Sequence, residues 1–521
     1  MSPITQVLSS TPYRDVAFVA VAVVGLAVYY FFTHLKRKDM PPGPPPAPFV
    51  GNRHQLPKAK PWRKFAEWNA EYGPVVSIYL GKTPVIVLGT AQAAWDLLEK
   101  RSNIYSSRPR FIMSGEILSE NRRGLMMPNN AEWRKWRKVL NTGFHNRAAD
   151  TYKPIQSLES KRLMWDLLTQ PEGFETHLQR YAASVVVSVT YGRRIESLDE
   201  WIVKENNAAM EYLTSVNIPG KYAVESFPIL LKLPRWMQTF RKEAEERKQK
   251  DIELYTHLVN DVKAKMADGT CKPCLAKELV EAGEAKTGLD ELALAYACST
   301  PFGAGIETTA GTMLTMILAL VHHPEVLRKA QEELDRVIGP DRMPTFEDHD
   351  SLPYVRATCN EALRWRPVAV LGGTPHAVTE DDYYEGMFIP AGSTVFANLD
   401  GIMRDPVMFP DPDNFLPERF LTTTDPRLKD FDLPFGFGRR ICPGRHLASN
   451  SIFLLAARIM WGFDIAPVKG EPLPDTWDYT DGFNSKPKPF RCSITPRSEK
   501  VKTVIESEWE GAKEALEAWS W

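Results

Sequence analysis

Apolar residues recur every three or four positions through the middle of the chain, from residue 91 to about residue 365. That spacing places them on one face of a helix, so it predicts a mostly helical body. Two short apolar runs come earlier, at 75–79 and 85–88, with Gly-Lys-Thr-Pro between them. The pair predicts a β-hairpin. Together these patterns indicate a mainly α fold with a small β-sheet, of the α+β class.

The C-terminal part mixes strand-like and helical patterns. Strand-like runs lie at 388–390, 393–397 and 490–494, and a helical pattern runs from Gly444 to Trp461. We expect the later strands to complete the early sheet. The last segment, 498–521, is amphipathic; it predicts a helix that docks on the surface or frays, and we interpret it as a tail without chemistry. No Gly-rich phosphate loop opens a helix after a strand, so a nucleotide-binding fold is not indicated.

One segment near the N-terminus is apolar on every face. Residues 16–32 carry no charge, and extension to Leu35 gives about 30 Å of helix, the thickness of a bilayer core. Lys36, Arg37 and Lys38 follow at once, against a single Arg14 before the run. This favours a transmembrane helix at 16–35, a short lumenal N-terminus at 1–15 and a cytosolic body. A cleaved signal peptide is the alternative, but its apolar run would be shorter and its charges would precede it.

A proline-rich stretch follows the basic residues. Residues 40–48 read Met-Pro-Pro-Gly-Pro-Pro-Pro-Ala-Pro, and prolines favour a stiff extended chain. We therefore expect a basic flank and hinge at 36–48 that acts as a semi-rigid spacer. A ligand for a proline-binding domain is the alternative. The globular body then spans 49–497, and the tail spans 498–521.

Composition narrows the class of protein. With 25% charged and 43% hydrophobic residues, the chain is neither a multi-span membrane protein nor disordered. Lys+Arg number 64 and Asp+Glu 65, so nothing indicates a nucleic-acid partner. Six cysteines are too few for a disulfide scaffold and fit a reducing compartment.

Two of the cysteines form a C-x-x-C pair, Cys271 and Cys274. Such a pair can mark a zinc or redox site. No second pair and no histidine pair lies at zinc spacing, and no βαβ pattern surrounds the motif. We interpret the two residues as ordinary surface-loop cysteines.

Cys442 has a different setting, in Phe435-Gly-Phe-Gly-Arg-Arg-Ile-Cys-Pro-Gly444-Arg. A thiolate ligand to a flat macrocycle needs glycines that let the backbone approach the ring. It also needs N–H groups and cations near the sulfur, and an aromatic ring that shields it from water. This stretch supplies each of these around one cysteine.

The same stretch resembles F-x-x-G-x-R-x-C-x-G, the haem-ligand loop of the cytochrome P450 haem-thiolate monooxygenases, at every fixed position. Three more runs are similar to motifs of that family: 361–364 to E-x-x-R, 417–420 to P-E-R-F, and 304–309 to [AG]-G-x-[DE]-T-[TS]. The resemblance runs in order from the hinge to about Arg497. It implies the cytochrome P450 fold with one N-terminal transmembrane helix and a haem-binding monooxygenase domain at 49–497.

The resemblance also implies roles for particular residues. Cys442 would be the axial ligand of the iron of haem b, and its thiolate would favour O–O cleavage. Thr308 and Glu307 would be the catalytic pair that supplies protons on the distal side, where Gly305 would make room for O2. The other implied cofactor-binding residues are Trp133, Arg137, His376, Arg440, Phe435 and Gly444, and the implied buried ion network is Glu361, Arg364 and Arg419.

Cations cluster around two of these motifs. Arg439 and Arg445 flank Cys442, and Arg134, Lys135 and Lys138 flank Arg137. The cluster suggests an acidic partner steered by charge, and an ordinary solvated helix face is the alternative. The resemblance implies a membrane-bound NADPH–cytochrome reductase, so that NADPH serves indirectly. It also implies a single-pass protein of the endoplasmic reticulum membrane, in contact with lipid, with the catalytic domain cytosolic.

A softer resemblance concerns the branch of the family. Residues 217–222 and 375–382 are similar to a fungal microsomal branch that includes O-methylsterigmatocystin oxidoreductase-like enzymes. Substrate-facing positions would be 108–124, Phe302, 368–374 and Phe483, whose linings suit an apolar or aromatic small molecule. The implied reaction inserts one oxygen atom from O2, as a hydroxylation in fungal secondary metabolism (terpenoid, indole or polyketide) or a xenobiotic oxidation.

Two other functions stay open. One is a haem-thiolate isomerase or dehydratase that acts on a peroxide without a reductase, and the other is a haem carrier or gas sensor without turnover. The Glu307–Thr308 pair argues against both.

One residue departs from the family pattern: Pro301 lies inside the distal helix, about 290–322, and we expect it to shift or enlarge a bulge near Gly305.

Overall fold

The computed structural model describes residues 11–35, 39–48, 50–218, 221–482 and 484–519. Some sequence predictions fall outside these ranges: Lys36, Arg37 and Lys38 of the basic flank, Phe483, Pro219 and Gly220 of the branch motif, most of the segment 1–15, and the last two residues of the tail.

The prediction of a mainly helical fold with small sheets is confirmed. The α-helices are α1 (Thr11–Leu35), α2 (Pro61–Tyr72), α3 (Ala91–Ala94), α4 (Ser102–Tyr105), α5 (Ala131–Phe144), α6 (Asn146–Thr151), α7 (Lys153–Thr169), α8 (Phe174–Tyr191), α9 (Trp201–Val216), α10 (Ala223–Ser226), α11 (Lys242–Ala267), α12 (Leu275–Thr287), α13 (Glu291–His322), α14 (Pro324–Val337), α15 (Pro353–Trp365), α16 (Leu399–Ile402), α17 (Glu418–Thr422), α18 (Pro426–Lys429), α19 (Arg445–Gly462) and α20 (Glu499–Glu517). Helical turns of other types lie at Arg53–Gln55, Trp95–Lys100, Ile112–Ile117, Pro171–Gly173, Pro228–Lys232, Arg235–Met237, Thr239–Arg241, Phe346–Ser351, Leu433–Phe435 and Gly438–Arg440.

The strands form small sheets at the edge of the helical body. They are β1 (Val75–Leu80), β2 (Thr83–Leu88), β3 (His376–Ala377), β4 (Asp382–Tyr384), β5 (Met387–Ile389), β6 (Thr394–Ala397), β7 (Phe463–Ala466) and β8 (Ser493–Pro496). The first sheet has the order β1-β2-β6-β3, so the predicted hairpin and its completion by a later strand are confirmed. The strand predicted at 490–494 begins later, because β7 pairs only with Ser493–Pro496.

The distal helix α13 lies at the centre of the body. It packs against α8, α11, α15 and α19, and most of its side chains are buried. Among the described residues it is the one helix long and apolar enough to cross a membrane, but 78% of its 18-residue apolar stretch is buried inside the protein. A helix that is apolar all round and covered along most of its length is a core helix.

The N-terminal helix α1 differs in its surroundings. Its described apolar stretch, Asp15–Ala27, is exposed, with Phe18 at 79% and Val21 at 72% of their full accessible surface. Large apolar side chains left uncovered in one run indicate a surface that another apolar phase covers.

The proline-rich segment, expected to be a semi-rigid spacer, is bonded to the body of the fold, a contact that its composition did not predict. The hydroxyl of Ser77 in β1 donates to the carbonyl of Pro41 (2.5 Å), and the Ser77 N–H donates to the carbonyl of Pro42 (3.0 Å). A Cβ at Gly43 would lie 2.1 Å from the Ser77 carbonyl oxygen, so only glycine fits there. Prolines keep their carbonyls free to accept hydrogen bonds, and here the outer edge of β1 and a nearby asparagine supply the donors. Asn52 donates to the carbonyl of Pro44 (2.9 Å).

The C-terminal segment docks as helix α20 on α7. Val501, Ile505 and Trp509 are buried, and the ring of Trp509 stacks on that of Trp165 at 6.5 Å between centroids. Lys161 and Glu508 form an ion pair at 2.6 Å across the same contact. The amphipathic pattern therefore produces a docked helix, whose buried face belongs to the core.

Candidate active site

The loop before Cys442 folds against the helical turn Trp95–Lys100 and the start of α4. Gly438 opens a tight turn with φ of +53°, and a Cβ at this position would lie 2.4 Å from the carbonyl oxygen of Leu98. Its N–H donates to the carboxylate of Glu99. The N–H of Cys442 then donates to the carbonyl of Phe435 (2.8 Å), which closes the loop. Glycine is required at 438 both for its backbone angle and for the close approach.

Opposing influences act on the Cys442 thiol. Burial raises its pKa, whereas the Gly444 N–H and the cations of Arg137 and Arg445 lower it. Arg137 is held beside the loop because its guanidinium donates to the carbonyl of Ile441 (2.6 Å). Hydrogen-bond donors and cations that favour the thiolate are the setting that a thiolate metal ligand requires.

The guanidinium of Arg440 contacts a group of backbone carbonyls. Its guanidinium donates to Ser106 (2.7 Å) and Met127 (2.7 Å), and it lies 3.9 Å from the ring centroid of Trp133. Burial and, to a smaller extent, the nearby cations Arg108 and Arg137 lower the pKa of Arg440 to about 8. A buried cation with neighbours of the same sign is unfavourable unless an anion joins it.

Arg108 is a member of this group that the sequence analysis did not identify. It is buried, it donates to the carbonyls of Thr374 (2.5 Å) and Leu125 (3.2 Å), and burial lowers its pKa to about 9. The sequence analysis placed it only at the start of a substrate-facing stretch. No sequence signal distinguishes it, because burial without an acidic partner is visible only in three dimensions.

His376 lies beside the same arginines. Its Nδ1 is 2.8 Å from the carbonyl oxygen of Tyr105, which fixes the ring. Burial lowers the pKa of His376 well below its ordinary value, and Arg108 and Arg440 lower it too. The imidazole is therefore neutral at pH 7 and acts as a hydrogen-bonding group.

These side chains form a cluster, called the rim below, that lacks an anion. Its members are Arg108, Trp133, Arg137, His376 and Arg440. Within the described residues, no carboxylate contacts the guanidinium of Arg108, Arg137 or Arg440. The Trp133 Nε1–H is buried and has no hydrogen-bond partner in the same part of the chain. Buried donors without partners are rare in folded proteins, so this rim fits a ligand that carries carboxylates.

One face of the distal helix α13 is uncovered in the middle of the protein. Ala304 is exposed, and Pro301 and Thr308, one turn away on either side, are half-buried, although the helix on both sides is covered. The Thr308 hydroxyl donates to the carbonyl of Ala304 (2.8 Å). A gap of this kind along an apolar core helix provides room for a small molecule.

The structure adds to one expectation for this helix and corrects another. A Cβ at Gly305 would lie 3.0 Å from a methyl group of Val186 in α8, so the close packing of two helices also favours glycine there, and room for O2 stays a prediction. The helix remains α-helical through Pro301, without the expected bulge. Hydroxyls of Ser299 and Thr300 donate to the carbonyl of Tyr296 just before the proline (2.9 and 3.1 Å).

Glu307 lies next to Thr308 in sequence but on another face of the helix. Its carboxylate is 3.9 Å from the ammonium of Lys486, and its side chain is 47% exposed. The helix rotates by about 100° per residue. The acid therefore needs a side-chain rotation to reach the Thr308 face.

A buried ion network lies behind the site. Arg364 makes two bonds of 2.7 Å to the carboxylate of Glu361, and Arg419 lies 3.1 Å from it. Arg364 also donates to the carbonyls of Met403 and Pro412 (both 2.9 Å). The network therefore ties α15 to the backbone of the segment that leads toward the Cys442 loop.

The C-x-x-C pair contributes nothing to the site. Cys271 and Cys274 are free thiols, and among the described residues no group of three or more His, Cys, Asp or Glu could hold a metal ion. The expectation of two surface-loop cysteines is wrong for Cys274, which is buried in the core at the start of α12. Its packing beside Gly192 explains the burial, which raises its pKa to about 12.

The cytochrome P450 family model matches residues 41–494 of the chain. The chain belongs to the cytochrome P450 family. Cytochrome P450 monooxygenase 58 of Postia placenta is 41% identical over 478 residues, which cover 89% of this chain and 90% of that protein. Cytochrome P450 monooxygenase fogE of Aspergillus ruber is 36% identical over 493 residues, 92% of this chain and 91% of that protein. A solved structure of a zebra fish cytochrome P450 with abiraterone has the same fold, with a TM-score of 0.65 and 23% identity over 84% of this chain and 100% of that chain.

The protein is thus a cytochrome P450 monooxygenase with a haem-thiolate cofactor. The family generally works with a reductase and a small-molecule substrate. The residues of this P450 fit haem on two counts: a thiol sits among N–H groups and cations, and a rim of buried cations is free of carboxylates. The two carboxylates of haem b are the kind of anion that this rim lacks.

The structure shows the surroundings of several of the expected substrate-facing residues. Val368 and Val370 are buried, Val368 beside Gly311 of the distal helix, and the buried Thr374 hydroxyl has no hydrogen-bond partner among the described residues. Phe302 is fully buried in the core, on a side of α13 that packs against other helices. Its predicted place in the substrate cavity therefore finds no support in the packing.

Proposed function

We propose that this P450 takes electrons from NADPH through a reductase and inserts one oxygen atom from O2 into an apolar or aromatic small molecule. The balanced reaction is RH + O2 + NADPH + H⁺ → ROH + H2O + NADP⁺. The observation that carries the proposal is the Cys442 loop, with its single thiol beside a rim of buried cations without acids. We infer a hydroxylation in fungal secondary metabolism, on a terpenoid, indole or polyketide, or a xenobiotic oxidation.

Cys442 is the proposed axial ligand of the haem iron. Bound haem would supply oxygen activation there, and a thiolate ligand favours O–O cleavage. Phe435 and Gly444 would hold the loop around the sulfur: the Phe435 carbonyl accepts the Cys442 N–H (2.8 Å), and the Gly444 N–H bonds to the thiol. Both contacts are made by backbone groups, so Cys442 is the one side chain of this loop that we propose as a ligand.

The rim would hold the two carboxylates of haem. Arg108 supplies a buried cation and Arg440 a half-buried one, and burial lowers the pKa of both, so an anion would stabilise their charged forms. The Trp133 N–H has no partner among the described residues, Arg137 reaches the loop carbonyl of Ile441, and neutral His376 completes the set. Charge-assisted bonds from arginine to carboxylate are among the strong ones in proteins.

Thr308 and Glu307 are the proposed proton donors on the distal side. Thr308 lies on the uncovered face of α13, with its hydroxyl placed by the bond to Ala304. Glu307 lies at the edge of that face and is half-open to solvent, so it can exchange protons with water. A positioned acid and hydroxyl of this kind contribute to rate through general acid catalysis.

The reductase would bind the face that carries Cys442. Arg134, Lys138 and Arg439 are exposed there, whereas Lys135 is already paired with Glu132 at 2.8 Å. Exposed cations near a buried redox centre suit an acidic partner that is steered by charge. The complex would therefore weaken as salt increases.

We place the protein in the endoplasmic reticulum membrane, with a single span at 16–35, the segment 1–15 in the lumen and the catalytic domain at 49–497 in the cytosol. The exposed apolar stretch of α1 supports the span. A second apolar surface lies between α10 and α11, where Phe227, Ile229 and Trp236 are 63%, 63% and 80% exposed. Lipid contact would cover both surfaces.

Deletion of residues 1–38 is expected to release the protein from membranes and to preserve haem binding. The cut falls before Asp39, whose carbonyl accepts the N–H of Phe388 (2.6 Å). Deletion of residues 1–47 should lower stability, because it removes the proline carbonyls that bond to Ser77 and Asn52, each worth about 1 kcal/mol. Sedimentation of membranes, haem content and thermal midpoints test both. A 1–38 deletion that cannot take up haem would contradict the division at the hinge.

The proposed reaction is tested with membranes that contain the protein and a reductase. Candidate terpenoid, indole and aromatic compounds are added with NADPH, and oxygenated products and NADPH use are measured. NADPH-dependent product supports the proposal. Conversion of a peroxide without NADPH would favour a haem-thiolate isomerase or dehydratase instead, and haem binding without any turnover would favour a carrier or sensor.

The proposed branch is the fungal microsomal one that includes O-methylsterigmatocystin oxidoreductase-like enzymes. The motif at 375–382 and the fungal source of the relatives support it. Residues 217–222 of the other motif follow α9, at the start of the segment with exposed apolar side chains. This placement suits an enzyme whose apolar substrate arrives through lipid.

A further inference from the structure

The stripe of the distal helix that carries Glu307 lies against a segment near the C-terminus. Glu307, Gly311 and Thr315 are one turn apart and share a face. The Thr315 hydroxyl is 3.2 Å from that of Tyr479, and a Cβ at 311 would lie 3.1 Å from the Cβ of Lys486. Tyr479 and Lys486 therefore both lie against this stripe, and Gly311 leaves the space that Lys486 needs.

Backbone bonds fix Lys486 in place. The N–H of Thr480 donates to the Lys486 carbonyl (2.8 Å), and the Lys486 N–H donates to the Thr480 hydroxyl (3.1 Å). The N–H of Ser485 donates to the carbonyl of Val368 (2.8 Å). Because this turn sets the backbone, the long side chain is the adjustable part of Lys486.

Lys486 has Glu307 as its acidic partner. The ammonium lies 3.9 Å from the carboxylate, and the Lys486 side chain is 20% exposed. Within the described residues the ammonium has no hydrogen bond and no other acid in range. Lys488, two residues on, differs: it is 51% exposed and pairs with Asp478 at 2.7 Å. An ion pair without a hydrogen bond orients two side chains and still lets them part.

We propose that Lys486 is a positioning residue for the monooxygenase reaction. Its ammonium holds the Glu307 carboxylate at the edge of the Thr308 face, within one side-chain rotation of that hydroxyl. Without the lysine, the half-exposed carboxylate turns to solvent, and proton delivery at the distal side fails more often. The inference rests on the proposed proton role of Glu307.

The test uses the holoenzyme with reductase and NADPH, and no added substrate. The electrons from NADPH then reduce O2 to hydrogen peroxide or to water. The fraction that ends in each product is calculated from the NADPH and O2 consumed and the peroxide formed. Lys486→Met should lower the share that reaches water by about threefold, a small part of what a positioned acid contributes. Lys486→Arg should stay near the wild type, and Lys488→Met is the matched control that should change nothing.

A second measurement is independent of turnover. The holoenzyme is treated briefly with acetic anhydride, and mass spectrometry gives the acetylation rate of each lysine. In Glu307→Gln, Lys486 should react about twofold faster as the ion pair is lost, and Lys488 should react as before. An unchanged Lys486 rate would mean that the pair does not form in solution.

The double variant separates the possible failures. Lys486→Met should have no further effect in a Glu307→Gln background, because the lysine acts through that carboxylate. If Glu307→Gln alone leaves the water share unchanged, the proton role of Glu307 is wrong and the positioning role fails with it. If Glu307→Gln lowers the share but Lys486→Met does not, or acts equally in both backgrounds, only the positioning role is overturned.

Discussion

Cys442→Ala is expected to abolish the thiolate spectrum of this P450 and its NADPH-dependent activity. The reduced, carbon monoxide-treated wild type should show the absorbance band that gives the family its name, and the variant should not. No other described cysteine lies in a comparable loop: Cys298 and Cys359 are buried inside core helices. The measurements are the carbon monoxide difference spectrum, the haem content and the circular dichroism of both proteins.

The loss of the band should come from the ligand and not from unfolding. The rim of Arg108 and Arg440 remains in the variant, so part of the haem should still bind while the helical signal is unchanged. Cys492→Ala is the matched control: this half-buried free thiol lies just before β8, and its loss should leave the band intact. A wild-type spectrum typical of histidine ligation would contradict the proposed role of Cys442.

Much of the fold follows from local pattern. The hairpin of β1 and β2 is visible in two apolar runs around one turn, and the distal helix is visible as a long apolar run, because both depend on neighbours in sequence. The Cys442 loop could be identified for a similar reason. Its glycines, cations and aromatic residue must lie within a few residues of the thiol to act on it.

Several features that depend on distant partners were not predicted. The proline segment looked like a spacer, but Ser77 supplies donors that no local pattern reveals. Gly305 was expected to leave room for O2, and its close contact with Val186 of another helix was not foreseen. Arg108 looked like any loop arginine until burial beside Thr374 and Leu125 left it without an anion. In each case the deciding contact joins residues that the chain brings together only on folding.

Thr308→Ala is expected to leave folding and haem content nearly intact but to uncouple electron use from product. The change removes one hydroxyl that bonds to the carbonyl of its own helix, at Ala304, so few contacts are lost. Electron uptake should persist, because the Cys442 face is unchanged. Without the hydroxyl, protons on the distal side are delivered to the wrong atom, and the reduced oxygen is released as hydrogen peroxide. Product per NADPH should fall roughly ten- to a hundredfold, about 1.4–2.7 kcal/mol, within the reach of one positioned proton donor.

Two other variants show whether the hydroxyl itself is responsible. Thr308→Ser keeps the hydroxyl and should restore most of the coupling. Thr312→Ala removes the same kind of bond one turn later, from a buried hydroxyl to the carbonyl of Thr308 (3.0 Å), and should leave coupling near the wild-type level. Product and peroxide per NADPH are measured in all four proteins with a compound that the wild type oxidises. If Thr308→Ala stays coupled, Thr308 is structural, and the uncovered face of α13 serves the substrate without donating protons.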